Sequence, residues 1–318
     1  MAPNVDIKPS PLTTHVGSIA DQDFVSSIFT SLHPDLAYVI HTATLHKPHI
    51  CSHTKADFIS TNVTGTLNLL EASAATSGGI KSFVFVSTTS AFGGSLTTRP
   101  GLPAVWIDEG VVPKPKNIYG VTKIAAEEVC ELVNKEHGLP VVVLRTSRFF
   151  PEGDDDEERR GSMGDDNLKV LELGYRRVDI ADVVGACVKG LEKGPALRRK
   201  WGKYIISAPT VFKREKEVLE GLDRDAGGEY CKAVEGVREV FGQKGWKFLQ
   251  RVDRVYDSDL ARQELGWEAV YTFQRAVQMV KEGKEWRSEL TGRVGKLGYH
   301  DVSTGVYTIR EEATVNPI

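Results

Sequence analysis

The sequence predicts an α/β fold in which a doubly wound parallel sheet is joined to a smaller α+β lobe. Short apolar runs alternate with helical patterns as far as about Arg145, as in successive strand–helix–strand units. The run Phe83–Val86 is continuously apolar, which is typical of a strand covered on both faces. Beyond about Tyr175, strand character returns at Lys203–Ala208, and charged helical segments follow it.

The positions of the individual helices and strands are predicted from the periodicity of apolar residues and from residues that end helices. The second of two long helices stops where Gly138 and Pro140 interrupt its pattern. The run Gly153–Gly161 is so acidic and basic that a solvated loop is expected there. We predict strands near Leu36–His41, Ser82–Ser87 and Pro140–Arg145, and helices near Ala56–Ala75 and Ile118–Glu136.

Length and composition narrow the class of protein. With 318 residues, 41% apolar residues and a net charge of -3, the chain can bury a sizeable core and lacks the basic balance of a nucleic-acid-binding protein. It shows no secretory signal pattern and no apolar run near the ~20 residues that span a bilayer. Its cysteines form no C-x-x-C pair, so a reducing compartment, the cytoplasm, is expected: Cys51, Cys130, Cys187 and Cys231.

A tyrosine and a lysine stand four residues apart in the second long helix. Tyr119 and Lys123 therefore lie on one helix face. An ammonium group near a phenol stabilises the phenolate and lowers the phenol pKa from about 10. This spacing makes Tyr119 a candidate proton shuttle, although many surface helices carry the same pair by chance.

A run of hydroxyl side chains ends the predicted strand that precedes this helix. Ser87, Thr88 and Thr89 follow the apolar run directly. Ligands of open α/β sheets collect at the carboxyl ends of the strands, so a hydroxyl there can hold a substrate oxygen. The alternative is a turn rich in Ser and Thr that only caps the strand.

Together these residues resemble the extended short-chain dehydrogenase/reductase family, in its NAD-dependent epimerase/dehydratase group. The resemblance also rests on further segments along the chain: Tyr38–Ala43, Thr61–Ala72, Val142–Arg145, Arg177–Val184 and Leu265–Trp267. It implies a Rossmann-like fold and NAD or NADP as cofactor, with NAD favoured. It also implies three catalytic residues, namely Thr88 to orient the substrate oxygen, Tyr119 to exchange a proton and Lys123 to lower its pKa.

The same resemblance implies where cofactor and substrate bind. Beside the catalytic pair Tyr119 and Lys123, the implied cofactor contacts are Asp6, Ser18, Ile19, Thr42, Ala43, Thr44 and Asn62. The implied substrate contacts are His46, Thr89 and Arg148. Sugar-nucleotide epimerases usually carry asparagine where this chain has Arg148, an arginine that can bind phosphate or carboxylate as a fork. Arg145 is either a second such group or a structural ion pair. No metal site is predicted for the nearby histidines, whose spacing fits no common zinc pattern.

The chain departs from the family pattern at its N-terminal end. The family's first strand, its Gly-x-x-Gly-x-x-Gly turn and its first helix have no counterpart, since Gly17 is the only glycine before His41. Val5–Ile7 resembles the end of the family's second strand. The chain therefore matches the family pattern from a point roughly 30 residues after the start of that pattern. We expect either that the second strand shifts to pair with the fourth or that the cofactor lobe is incomplete.

The expected organisation has three parts. The cofactor domain takes in 1–147 and about 175–210, the substrate lobe takes in 148–174 and 211–290, and 291–318 is an extended tail.

In this family two helices often pair between subunits, which implies a homodimer through 56–75 and 118–136. The expected activity is hydride transfer at a secondary alcohol or ketone, with a sugar nucleotide as one candidate substrate. The sequence leaves epimerisation, dehydration and simple oxidation or reduction open. The alternative is a non-catalytic relative that serves as a binding or interaction module.

Overall fold

A computed structural model describes residues 3–76, 79–96, 98–149 and 161–294. The strands are β1 (Val5–Asp6), β2 (His15–Val16), β3 (Tyr38–His41), β4 (Ser82–Thr88), β5 (Val105–Ile107), β6 (Val141–Thr146), β7 (Arg148–Phe149), β8 (Arg177–Val178), β9 (Trp201–Ile206) and β10 (Arg254–Tyr256). The helices are α1 (Gln22–Leu32), α2 (Lys55–Ile59), α3 (Gly65–Ala75), α4 (Ile118–His137), α5 (Asp165–Leu173), α6 (Ile180–Lys193), α7 (Lys216–Arg224), α8 (Ala226–Ala233), α9 (Val237–Lys244), α10 (Asp259–Leu265), α11 (Phe273–Lys281) and α12 (Glu289–Val294).

The central sheet is parallel, with the strand order β3-β4-β6-β9. The predicted strands and long helices are confirmed to within two or three residues at each end. The first long helix is continuous from Lys55 to Ala75, with a π-helical turn at Ser60–Thr64 between α2 and α3. Every residue of β6 is buried, as expected for a strand covered on both faces.

The two faces of the sheet form separate hydrophobic cores because successive side chains of a strand point to opposite sides. Phe83 and Phe85 of β4 pack with Ala126 and Cys130 of α4 on one face. Val84 of β4 packs on the other face, in the core that also contains α6. This arrangement is the doubly wound α/β architecture that the sequence predicts.

Of the two alternatives for the N-terminal end, the shift of the second strand to pair with the fourth is wrong. Within the described residues, β1 pairs with β2 and β3 pairs with β4, so β3 is an edge of the central sheet. The segment after β2 is anchored elsewhere, because Asn68 of α3 donates a hydrogen bond to the Ile19 carbonyl at 3.0 Å. This anchor and the packing of α1 on α3 hold the segment that follows β2 against α3.

The edge at β3 is open to solvent. Tyr38 and Ile40 are 44% and 45% exposed, although both are large apolar side chains. The Ala37 carbonyl accepts a bond from the Lys81 amide and so points to β4. Because alternate residues of a strand direct their backbone groups to opposite sides, those of Tyr38 and Ile40 point to the open edge.

A third core lies beyond the carboxyl end of the sheet. It is built from α5, α7, α8, α9 and α11, with the parallel pair β5–β10, and it buries Tyr230 and Phe273 completely. Two predicted features lie outside the described residues: the acidic run at 153–160 and most of the tail, 295–318. Among the helices that are described, none combines the length and the apolar character that crossing a membrane requires.

Candidate active site

The start of α4 places Tyr119 and Lys123 against the end of β4. Asn117 caps the helix, since its side chain accepts a hydrogen bond from the Gly120 amide at 3.0 Å. A Cβ at Gly120 would lie 3.3 Å from the Ser90 carbonyl, so glycine lets the helix approach the turn that follows β4. The helix ends at Gly138, whose φ of 67° is left-handed. The expectation of one shared helix face for Tyr119 and Lys123 is met, because α4 runs unbroken through both residues.

Lys123 is almost completely buried. Its Nζ donates a hydrogen bond to the Val86 carbonyl at 2.7 Å and lies 4.0 Å from the ring centroid of Phe85. Burial lowers the pKa of Lys123 to about 7, and the charge of Glu127 opposes that shift. The ammonium therefore changes its charge close to neutral pH, which is where a proton-transfer site needs to operate.

The three hydroxyl residues at the end of β4 differ in their surroundings. Ser87 donates a hydrogen bond of 2.5 Å to Glu127, below the sheet surface. Thr88 accepts a bond from the Ser90 amide at 3.1 Å, and its own O–H donates to no acceptor within the described parts of the chain. Thr89 opens a short 3-10 helix and is buried. Thr88 therefore caps the turn after β4, which was the alternative role predicted from the sequence. Its hydroxyl proton is still available to donate to a ligand.

Beneath the catalytic candidates lies a buried ion network that the sequence analysis did not identify. Glu127 accepts bonds from Arg145 Nε at 3.0 Å and Nη2 at 2.6 Å, and Lys203 Nζ lies 3.3 Å from it. Burial acts to raise the pKa of Glu127, but the bonds and charges of Arg145, Lys203 and Ser87 hold it below its usual range. Arg145 therefore forms a structural ion pair with Glu127, which is one of the two roles predicted for it from the sequence. The sequence signal that could have revealed this network is Glu127, an acidic residue four positions after Lys123 and therefore on the same face of α4.

The turn after β3 is held by Asn62. Its Oδ1 accepts bonds from the Leu45 amide at 2.7 Å and the Thr44 hydroxyl at 2.9 Å, and its Nδ2 donates to Leu45 and Thr122. These bonds engage both ends of the amide, so Asn62 positions the segment from Thr42 to Leu45. Thr42 is exposed, and Ala43 and Thr44 are half-buried. The implied cofactor contacts of this turn are therefore fixed in place beside the carboxyl end of β3.

His41 ends β3 in a fully buried position. Its Nε2 lies 2.9 Å from the Thr66 hydroxyl, and its ring centroid lies 5.2 Å from that of Phe85. Burial, together with the charge of Lys123, lowers the pKa of His41 to about 3. His41 is consequently neutral at physiological pH.

The predicted adenosine-side residues are spread over the small β1–β2 sheet and the turn after it. Asp6 is exposed and accepts a bond from the Lys8 amide at 2.8 Å, and Ser18 caps the turn at the Ala20 amide. Ile19 is buried in the core instead, where its side chain fills the space above Gly65. Of these three residues, Asp6 and Ser18 offer polar atoms to a ligand.

The predicted substrate residues lie on separate elements. His46 precedes a 3-10 helix, and its ring packs edge-on against His49 with centroids 4.6 Å apart. Arg148 lies in β7 and pairs in register with Arg177 of β8. Thr89 is buried, as described above. The side chains of His46 and Arg148 are half-buried and border the carboxyl end of the central sheet.

The residues present fit one end of a nicotinamide dinucleotide. The Thr42–Thr44 turn offers partly exposed polar atoms to a ribose, whereas Tyr119 packs with Leu45 and Phe58. Lys123 is buried, with its Nζ on the Val86 carbonyl. Residues 3–41 offer no matching cradle for a pyrophosphate, because Gly17 packs against Phe24 and α1 begins at the acidic cap Asp21. A carboxylate at a helix N-terminus takes the position that an anion would need.

Comparison with known proteins identifies a family that this chain resembles over much of its length. The family model for the NAD dependent epimerase/dehydratase family matches residues 3–195. The chain is 32% identical over 278 residues to UDP-glucose 4-epimerase of Rhizobium meliloti (strain 1021), covering 80% of this chain and 78% of that protein. It is 31% identical over 134 residues to dTDP-D-glucose 4,6-dehydratase of Mus musculus, covering 42% of this chain and about a third (35%) of the relative's length.

Solved structures show the same fold. A UDP-glucose 4-epimerase of Thermotoga maritima, determined with UDP-glucose, matches with a TM-score of 0.54 and 23% identity over 88% of this chain and 90% of that chain. RMD from Pseudomonas aeruginosa, determined with NADPH, matches with a TM-score of 0.53 and 20% identity over the same shares of the two chains, 88% and 90%. The family match covers more than half of the chain, and the fold agrees with it. The chain belongs to the NAD dependent epimerase/dehydratase family.

Proposed function

We propose that this protein is an NAD(P)-dependent oxidoreductase of the epimerase/dehydratase type, acting at a secondary alcohol or ketone of a sugar nucleotide. The observation that carries the proposal is the start of α4, where Tyr119 and the buried Lys123 lie beside the hydroxyl-bearing end of β4. The Rhizobium meliloti epimerase and the NADPH complex from Pseudomonas aeruginosa support the substrate class and the cofactor class. NAD is the favoured form.

In the proposed mechanism, each residue has one task at the substrate oxygen. A bound nicotinamide cofactor would supply the hydride chemistry. Tyr119 exchanges the proton of the substrate hydroxyl, and Thr88 donates its free O–H to the same oxygen. Lys123 stabilises the Tyr119 phenolate when it carries its charge, and Glu127 favours that charged form. Return of hydride to the same substrate would give epimerisation, and release of the ketone would give oxidation.

The first test is a titration of the full chain with NADH and NADPH, followed by energy transfer from protein to nicotinamide, with a thermal melt alongside. Saturable binding in the range of about 1–100 μM supports the proposal, since affinities of about -6 to -8 kcal/mol suit a reversibly bound cofactor. A cooperative melt without binding favours the second candidate, a non-catalytic binding module. The observation that favours this module is the lack of a glycine-rich turn in residues 3–41.

Replacing Tyr119 by phenylalanine should lower turnover strongly while leaving cofactor affinity nearly unchanged. General acid–base catalysis contributes about 10²–10⁴-fold to a rate, so kcat should fall by about that factor. The measurement is steady-state turnover of UDP-glucose or UDP-galactose with the cofactor that binds. Tyr271→Phe is the matched control, because Tyr271 packs against Arg275 away from α4. Equal losses in the two variants, or no loss in Tyr119→Phe, would contradict the assigned role.

We also propose a homodimer in the cytoplasm, formed through the helices at 56–75 and 118–136. Ile59, Val121 and Leu132 support the interface, since these large apolar side chains on the two helices are 51%, 47% and 51% exposed. Light scattering should give twice the 35.0 kDa chain mass, and Leu132→Lys should give the monomer. A well-folded wild-type monomer would exclude this dimer. No disulfide joins any of the four cysteines, all of which lie within the described residues, and this agrees with a reducing compartment.

A further inference from the structure

The open edge strand β3 carries exposed apolar side chains on the face of the sheet that α6 covers. Tyr38 and Ile40 are 44% and 45% exposed, and the register places Ile40 beside Val84 of β4. Val84 belongs to the core that contains α6, and Ser82 of β4 donates a hydrogen bond to the Gly190 carbonyl of α6 at 3.1 Å. Because paired residues of neighbouring strands point to the same side, Tyr38 and Ile40 face the α6 side of the sheet.

Two valines of α6 extend this apolar surface. Trp267 marks the flank of α6 that faces β9, since its Nε1 donates to the Asp182 carbonyl at 2.9 Å and its ring shares a core with Tyr204 of β9. Helical spacing places Val184, and Val188 one turn further on, on the other flank, where they are 48% and 44% exposed. We call the exposed side chains of this flank and of β3 the apolar patch: Tyr38, Ile40, Val184 and Val188.

Backbone hydrogen-bonding groups lie along the same edge. The N–H and C=O groups of Tyr38 and Ile40 point away from β4, because the carbonyl of the alternate residue Ala37 accepts a bond from the Lys81 amide and so points toward β4. An open strand edge is a template for a further strand, and alternate apolar side chains give such a strand its specificity. The edge and the apolar patch together fit an extended segment that has apolar residues at alternate positions.

The chain itself carries such a segment beyond α12. Residues 295–318 lie outside the described residues, and 306–309 are valine, tyrosine, threonine and isoleucine, which all favour strands. The start of this tail is held near the sheet, since the Ser288 N–H donates to Asp179 Oδ2 at 2.9 Å at the N-terminal cap of α6. Because Ser82 at the start of β4 contacts the end of α6, this cap lies at the carboxyl end of the sheet.

The length of the tail is sufficient to reach the edge. Residues 295–305 span up to about 36 Å when extended. Neighbouring strands lie about 5 Å apart, and a helix is about 10 Å wide. The tail can therefore cross from α6 to β3, and it arrives from the carboxyl end of the sheet.

We propose that residues 306–309 add to the open edge of β3 as an antiparallel strand, with Tyr307 opposite Ile40 and Ile309 opposite Tyr38. A segment that enters from the carboxyl end of a parallel sheet runs against its strands. This register places both large apolar side chains of the segment on the apolar patch, and pairs of an aromatic and a β-branched side chain are favourable across strands. The tether raises the concentration of the segment at the edge to about the millimolar range, which favours the chain's own tail over a second copy.

The test is hydrogen–deuterium exchange of the full chain, measured by NMR after ¹⁵N labelling of tyrosine and isoleucine, the two residue types that form the proposed pairs. We expect the amides of Tyr38, Ile40, Tyr307 and Ile309 to exchange at least about tenfold more slowly than unbonded amides. Ile309→Pro removes a backbone donor and should return Tyr38 and Ile40 to the unprotected rate, whereas Val315→Pro, a proline later in the tail, should leave them protected. Unprotected Tyr38 and Ile40 amides in the full chain would overturn the proposal.

A charge on the apolar patch tests the side-chain contacts without changing the tail. Val184→Lys should speed exchange of the Tyr307 and Ile309 amides at least about threefold, because it places a charge beside their side chains. Val270→Lys is the matched control, since Val270 is 57% exposed on the other flank of α6, where its N–H donates to Asp182. Equal exchange in these two variants would overturn the proposed register.

Thermal melts establish that each variant is folded. The remaining outcome concerns the occupant of the edge. Protection of Tyr38 and Ile40 that survives Ile309→Pro, or that rises with protein concentration, would assign the edge to a second copy of the chain. Either result would overturn the assignment to the tail.

Discussion

Replacing Arg145 by methionine is expected to lower the free energy of unfolding by about 3–5 kcal/mol, because it leaves the buried Glu127 carboxylate without its main partner. Both side chains are at least 96% buried, with side-chain exposures of 4% and 0%. Lys203 compensates only in part, since it lies 3.3 Å from Glu127 and also pairs with Glu128. The measurement is equilibrium urea unfolding at neutral pH.

The chain supplies a matched control in Arg214. Its ion pair with Asp108 is 2.8 Å long but 62% exposed at the arginine, and surface pairs contribute only about 0–1 kcal/mol. Arg214→Met should therefore cost far less than Arg145→Met. The double variant Glu127→Leu with Arg145→Met should recover much of the loss, because it removes the uncompensated charge. Equal costs for the two single variants would show that the network does not stabilise the fold.

The second large effect is a loss of stability in acid, caused by His41. The folded protein holds the pKa of His41 at about 3, because of burial and then the charge of Lys123, while the unfolded chain titrates near 6.5. Between these values the unfolded state binds more protons than the folded state. Stability from this residue is therefore complete above pH 6.5 and is lost as the pH falls toward 3.

The expected size is on the order of 4 kcal/mol at pH 3, since each unit of pKa corresponds to about 1.4 kcal/mol. Urea unfolding at several pH values between 6.5 and 4 measures the slope. His41→Gln should flatten it, because an uncharged side chain near Thr66 takes up no proton. His137→Gln serves as the control, since the His137 side chain is 52% exposed at the end of α4. The assignment fails if His41→Gln retains the wild-type slope.

Local sequence pattern was sufficient to predict those elements whose conformation depends on residues within one segment. The apolar run in β4 and the stops at Gly138 and Pro140 predicted a strand and a helix end that the structure confirms. The shared face of Tyr119 and Lys123 followed from helical spacing alone. Most segments quoted for the family resemblance lie on regular elements, whereas Leu265–Trp267 starts at the last residue of α10 and runs past its end. Their resemblance identified the family before the fold.

Pairing between distant segments could not be predicted in the same way. The sequence left open whether β1 would pair with β3 or the cofactor lobe would be incomplete. In the structure β1 pairs with β2, and Asn68 and the packing of α1 tie the segment after β2 to α3. That choice depends on contacts between residues 49 positions apart, which no local pattern encodes. The role of Asn62 is similar, because its partners Leu45 and Thr122 come from two other segments.

The α/β class, the boundaries of the main elements and the shared helix face of Tyr119 and Lys123 could be predicted from the amino-acid sequence. These depend on periodicity and spacing within single segments, which the chain carries wherever it folds. The burial of Lys123 against β4 and the joining of Glu127 to Arg145 and Lys203 became visible in the folded chain alone. Burial and the charges that surround a group arise from several strands and helices meeting, so they exist only once the chain is folded.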